Sequence, residues 1–211
     1  MFDWISKIFT QKEQIEQLQF NLDTMEKKSI SNKLLISGME CEIDKNYELA
    51  IKHYQESTNV WHNPKSEVHI AICLAALGDT SAAKVKLKEI REKGDIDECD
   101  KVGRLLEEGF FGSPDYYEAR RWYMSKSWYA PNSDIVIQAR NNLKRIMHTY
   151  DFEDHCCKCG RSLKNEPIYF SNSHFNQEQE YCNSCIETAP FVYTLNPLTG
   201  EMSRTTYNFS L

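Results

Sequence analysis

The chain has 211 residues and a formal net charge of −6, enough length for one sizeable core and a small annex. Aromatic residues make up 12% of it, with only 8 Gly and 6 Pro, a balance that excludes a disordered chain and points to a largely helical one. The acidic balance argues against a dedicated polyanion binder. The opening residues are too short and too charged for a signal peptide, and no apolar run approaches the ~18 residues of a membrane span. The eight cysteines are therefore expected to be reduced thiols or metal ligands, and the compartment the cytosol.

Residues 1–30 read as one helix. Ile8, Ile15 and Leu22 recur every seven residues, interleaved with Trp4, Leu18 and Met25, and neither Gly nor Pro interrupts them. This is a seam of about three heptads, spoiled at one position by Gln11. Three roles are open to it: a cap packed on the helices that follow, a homo-oligomer contact, and, for the amphipathic residues 1–9, contact with a membrane surface.

Residues 31–150 carry a repeat. Gly38, Ala71, Gly103 and Ala139 are spaced by 33, 32 and 36 residues, and a second set, Ala50, Ala83 and Ala119, follows with steps of 33 and 36. Four residues beyond the second set come Tyr54, Leu87 and Tyr123. Small residues mark close helix approach and large ones fill the space beside it, so each period is one helical hairpin. A single hairpin cannot bury its own apolar face, and the units are expected to stack as a short α-solenoid. Leu77-Gly78-Asp79 is expected to end one helix with Gly and begin the next with Asp. Residues 132–150, with Ser133 as the expected N-cap and Ile135, Ala139, Leu143, Ile146 and Met147 on one side, form the last helix.

G-M-E-C-E-I-D-K-N-Y-E-L-A-I-K-H-Y and A-I-C-L-A-A-L-G-D-T-S-A-A-K-V-K-L resemble tetratricopeptide repeats. The third unit, with its added loop G-F-F-G-S-P-D-Y before E-A-R-R-W-Y-M-S-K, resembles the longer-loop Sel-one-like repeat. The resemblance spans a little over half the chain. It implies an array of stacked hairpins that binds proteins or peptides.

Residues 151–211 change character. Cys156-Cys157-Lys158-Cys159 and Cys182-Asn183-Ser184-Cys185 each hold C-x-x-C, with 22 residues between them. Four thiolates so spaced suit one tetrahedral, structural Zn²⁺, each knuckle turning both sulfurs inward. Gly160 stands where such a knuckle needs an unusual backbone angle. Cys157, His155 and His174 are alternatives for one ligand. Phe191 to Phe209 alternates apolar and polar residues around Asn196-Pro197-Leu198-Thr199-Gly200, the pattern of a β-hairpin. In general terms the annex resembles a zinc ribbon or treble-clef knuckle.

The expected fold is mainly α, a short α-solenoid with a small zinc-bound, β-rich C-terminal module. The expected division is 1–30, 31–150 and 151–211. The expected function is that of a non-catalytic adaptor or scaffold, with a regulatory or inhibitory subunit as the alternative. A nucleic-acid binder is disfavoured, because residues 151–211 carry Asp151, Glu153, Asp154, Glu166, Glu178, Glu180, Glu187 and Glu201 against only Lys158, Arg161, Lys164 and Arg204. No phosphate loop, nucleophile elbow or H-E-x-x-H occurs, so no catalytic residues are assigned. His53, His69, Cys41, Cys73 and Cys99 fall on repeat helices and read as packing residues. Partner contact is expected at Tyr117, Arg120, Arg121, Arg140, Lys144 and Arg145, a cationic stretch suited to an acidic protein or peptide.

Overall fold

The structure is a computed structural model that describes residues 2–93, 98–127, 134–164, 166–171, 180–185, 191–196 and 201–206. The chain is mainly α, with seven helices and one small sheet among these residues. It divides into two compact units, Met1–Leu77 and Gly78–Leu211.

In the first unit, α1 (Phe2–Ile43), α2 (Tyr47–Val60) and α3 (Pro64–Ala76) follow in order. The expected N-terminal helix and the first repeat helix are one uninterrupted element. Its end is forced by Lys45, whose φ of +60° turns the chain left-handed. The N–H groups of Lys45 and Asn46 donate back to the carbonyls of Glu42 (3.0 Å) and Cys41 (2.8 Å), closing the helix terminus. Asn63 caps α3, and Pro64 supplies a preset φ at its first position.

Gly38 explains how α1 and α2 meet. A glycine inside a helix costs about 1 kcal/mol relative to alanine, but a β-carbon here would stand 2.4 Å from the Tyr54 ring. The ring lies against bare backbone, fully buried, with Ala50, Ile70 and Cys73 around it and Leu35, Met39 and Leu74 packed outside. Nearer the other end of the hairpin, Ser31, Ser57 and Ser66 form a buried polar contact. The Ser31 and Ser57 hydroxyls are 2.9 Å apart, and Ser66 donates to Ser57 at 2.9 Å. From Ile15 to Met25 the heptad side chains Ile15, Leu18, Leu22 and Met25 are 55–68% exposed. The seam is thus open to solvent, and this part of α1 does not cap the hairpins; the side chains of residues 1–9, offered for membrane contact, lie outside the described residues. No described helix is long and apolar enough to cross a membrane.

The second unit holds α4 (Thr80–Lys93), α5 (Cys99–Glu107), α6 (Tyr116–Ser127) and α7 (Asp134–Thr149). Gly78 adopts φ +93°, and Asp79 accepts the Ala82 N–H at 3.0 Å, so the Gly-Asp pair ends one helix and starts α4 as its sequence implies. Between α5 and α6, Gly109 and Gly112 take positive φ, and Asp115 accepts the Glu118 N–H at 3.0 Å to begin α6. Here Gly103 repeats the role of Gly38, because its β-carbon would stand 2.4 Å from the Tyr123 ring. Each tyrosine also donates its hydroxyl to a glutamate one turn beyond its glycine: Tyr54 to Glu42 at 2.8 Å and Tyr123 to Glu107 at 2.6 Å. Ala83, Leu87, Leu106, Ala119, Trp122 and Leu143 are among the residues buried in this unit. Cys73 and Cys99 are buried and Cys41 half-buried. Ser133 lies outside the described residues, as does the side chain of Ile135.

Beyond α7 come β1 (Ile168–Ser171), β2 (Phe191–Asn196) and β3 (Glu201–Thr206), antiparallel in the order β1-β2-β3. The β2–β3 pair is the expected hairpin, in register from Phe191–Thr206 to Asn196–Glu201. Its turn, residues 197–200, lies outside the described residues. Sequence alternation did not reveal β1, whose four residues are too few to establish a period.

Candidate metal centre

Two tight turns bring the cysteines together. In the first, the Gly160 N–H donates to the Cys156 carbonyl at 2.8 Å, with Gly160 at φ +71°, a conformation that favours a residue without Cβ. In the second, the Cys185 N–H donates to the Cys182 carbonyl at 3.0 Å. The turns are tied by the Cys157 N–H, which donates to the Glu180 carbonyl at 2.8 Å, and the paired backbone bonds of Tyr169 and Tyr181 hold the second turn to β1.

The Sγ atoms of Cys156, Cys159, Cys182 and Cys185 all lie within 4.8 Å of one another. Cys159 and Cys182 are 3.9 Å apart, and a tetrahedral thiolate site with metal–sulfur bonds near 2.3 Å spaces its sulfurs by about 3.8 Å. The donor set therefore fits a metal ion. The protonation pattern follows from the crowding. Burial works against ionising Cys156, but hydrogen bonds from the backbone of Cys182, Cys159 and Lys158 outweigh it and hold that thiol at about 6. Cys185 is pushed up to about 12, first by hydrogen bonding to Cys182 and then to Cys159. Four sulfurs this close cannot all ionise without a cation among them. Neither Cys157, which is exposed, nor His155, whose Nδ1 lies 3.1 Å from the Glu153 carbonyl oxygen, belongs to the cluster. His174 lies outside the described residues.

One guanidinium fastens both knuckles to α6. Arg120 donates through Nη1 and Nη2 to the two oxygens of Asp154, at 2.6 and 2.9 Å, and again through Nη2 to Glu180 at 2.6 Å. Asp154 precedes Cys156 by two residues and Glu180 precedes Cys182 by two. The guanidinium carbon sits 4.5 Å from the Phe152 ring centre and 5.3 Å from that of Tyr117, within cation–π range of both. Burial pushes the Glu180 carboxyl up to about 7, opposed by Arg120 and reinforced by the neighbouring Asp154.

Arg120 therefore leaves the set expected to meet a partner: it is 0% exposed. Its charge reads as surface in the sequence because its counter-ions come 34 and 60 residues later. Tyr117 is partly engaged as well, its hydroxyl accepting the Glu153 N–H at 2.9 Å, yet 41% of the residue remains exposed. Arg145 is exposed but grips Glu107 through both terminal nitrogens, at 2.9 and 2.5 Å. Arg140 and Lys144 are half-buried on α7. Arg121 is half-buried on α6, and its Nη1 reaches Glu118 only at 3.4 Å. The six residues do not converge on one surface point: Arg120 and Tyr117 belong to the clamp, and Arg145 belongs to the Tyr123–Glu107 pair. Among the packing histidines, His69 is buried with Nδ1 2.6 Å from Glu42, while His53 is half-buried.

Comparison with protein-family models, with curated proteins and with solved structures gives no match to this chain.

Proposed function

We propose that the protein is a non-catalytic adaptor. Its helical hairpins, of the tetratricopeptide and Sel-one-like kind, stack as a short solenoid and present a surface to a protein or peptide partner, and a structural Zn²⁺ closes the C-terminal module. The observation that carries the repeat assignment is the duplicated Gly–Tyr–Glu arrangement. Gly38, Tyr54 and Glu42 in one hairpin and Gly103, Tyr123 and Glu107 in another make the same close approach and the same hydroxyl–carboxylate bond. Such recurrence of packing at a fixed period is how hairpin arrays are built. Support for zinc comes from the soft, all-thiolate donor set and its near-tetrahedral spacing. Four sulfurs fill the coordination shell, so the ion contributes folding energy and leaves no position for water.

The test has two parts. Metal analysis of the purified full chain is expected to give one zinc per chain, lost in Cys159→Ser and Cys182→Ser; undiminished metal in both variants would overturn the ligand set. Cross-linking in the native cell, followed by mass spectrometry, is expected to recover a reproducible protein partner from the wild-type chain. Recovery of none would overturn the adaptor reading.

A further inference from the structure

The second unit contains a cleft that the clamp does not use. It has a volume of about 220 Å³ and lies between α4, α5 and the start of α6. Leu87 and Leu106, both buried, form its floor, and the exposed Lys84 and Lys88 stand one helical turn apart at its rim. Arg91 and Arg121 line it too. Against these four cations the lining holds two carboxylates, Asp115 and Glu118, and both already have partners. Asp115 caps α6, while Glu118 accepts Arg91 Nε at 2.9 Å and the Trp122 indole N–H at 3.2 Å through one oxygen.

Two donors are left over. Arg121 Nε is buried yet finds no acceptor among the described residues, and its only bond to Glu118 is the long one at 3.4 Å. The Lys84 ammonium makes no ion pair among the described residues and stands near Gly112, 3.8 Å from where a β-carbon there would lie. A buried guanidinium nitrogen without an acceptor is costly, and a protein of net charge −6 has no general reason to collect cations at one hollow.

We propose that this cleft takes an acidic segment of a partner polypeptide. A Glu or Asp carboxylate would be received by Arg121 and Lys84. This inference rests on the adaptor reading and names the chemistry of its partner. The charge is complementary, Arg suits a carboxylate in two-pronged geometry, and the volume holds one or two side chains but falls below that of an ordinary cofactor pocket.

The experiment uses the full, metal-loaded chain with ¹⁵N-arginine, titrated with acetyl-Glu-Leu-Glu-amide and with its Gln-Leu-Gln counterpart while the Arg121 Nε–H resonance is followed. The acidic peptide is expected to shift that resonance saturably and to bind at least about tenfold more tightly than the amide peptide, as a lost charged contact predicts. The exposed-site variant Lys84→Ser is expected to weaken acidic binding several-fold without altering the folded spectrum. No saturable shift, equal binding of both peptides, or an unchanged affinity in Lys84→Ser overturns the cleft. Any of these results alongside intact partner cross-linking overturns the cleft alone, whereas absence of a cross-linked partner overturns the adaptor reading itself.

Discussion

Replacing Arg120 with methionine is the sharpest test of how the cysteine module is held. The substitution keeps the apolar stem against Phe152 but deletes three charge-assisted hydrogen bonds, of 2.6, 2.9 and 2.6 Å. It leaves Asp154 and Glu180, whose side chains are 4% and 11% exposed, facing one another without the guanidinium that bridges them. Removing one partner of a buried pair costs about 3–5 kcal/mol, a large part of the 5–15 kcal/mol that typically holds a domain together. Urea unfolding of the metal-loaded chain, followed by far-UV circular dichroism, is expected to show a loss of that size. A chelator should also strip the metal faster, because Asp154 and Glu180 each sit two residues before a ligand. Arg120→Lys keeps a charge but not the two-pronged fit, and should lose roughly half as much. Replacing Arg120, Asp154 and Glu180 together by apolar residues of similar volume should recover much of the stability, since no charge is then stranded. A loss below about 1 kcal/mol in Arg120→Met, with unchanged chelator kinetics, would refute the clamp.

Gly38→Ala and Gly103→Ala should each destabilise their own unit by about 1–3 kcal/mol through collision with Tyr54 or Tyr123, read as a shift in the urea midpoint. Trimming the ring, as in Gly38→Ala/Tyr54→Leu, should soften the penalty below the sum of the single changes. Cys182→Ser should abolish metal binding and also lower the stability of α6, because loss of the second knuckle releases Glu180 from Arg120; hydrogen exchange along α6 would report it. For Glu107, burial raises the carboxyl pKa, but hydrogen bonds from Arg145 and then Tyr123 outweigh burial and leave it below its ordinary value. A carboxyl depressed in the folded state binds fewer protons there than when unfolded, so its contribution is present above the ordinary carboxylate range and is lost as pH falls through it. Glu107→Gln should accordingly flatten the acid limb of the stability curve below about pH 4.5. The effect is expected to stay near 1 kcal/mol because Arg145 is exposed to solvent.

Residue spacing alone determined the positions of the packing contacts and which four cysteines come together. Small residues every 32–36 positions are demanded by close helix approach, and each one named, from Gly38 and Ala50 to Ala119 and Ala139, is half-buried or buried. Two C-x-x-C turns likewise carry their geometry locally, since a knuckle of four residues points both sulfurs the same way. What the tertiary structure decided is the fate of the charges. Arg120 and Arg121 are adjacent in sequence, yet one is buried between two carboxylates and the other lines an open cleft. A helix turns its residues about 100° apart, and neither fate is written in the residues beside them. The basic residues of α4, Lys84, Lys88 and Arg91, take their meaning only from α6, which brings Glu118 to Arg91 and Arg121 to the same hollow. In the same way, the heptads of α1 specify an apolar seam, and only the fold determines that Ile15, Leu18, Leu22 and Met25 find no cover among the described residues. Periodicity is a property of neighbours along the chain, whereas desolvation and ion pairing depend on groups that meet only after folding.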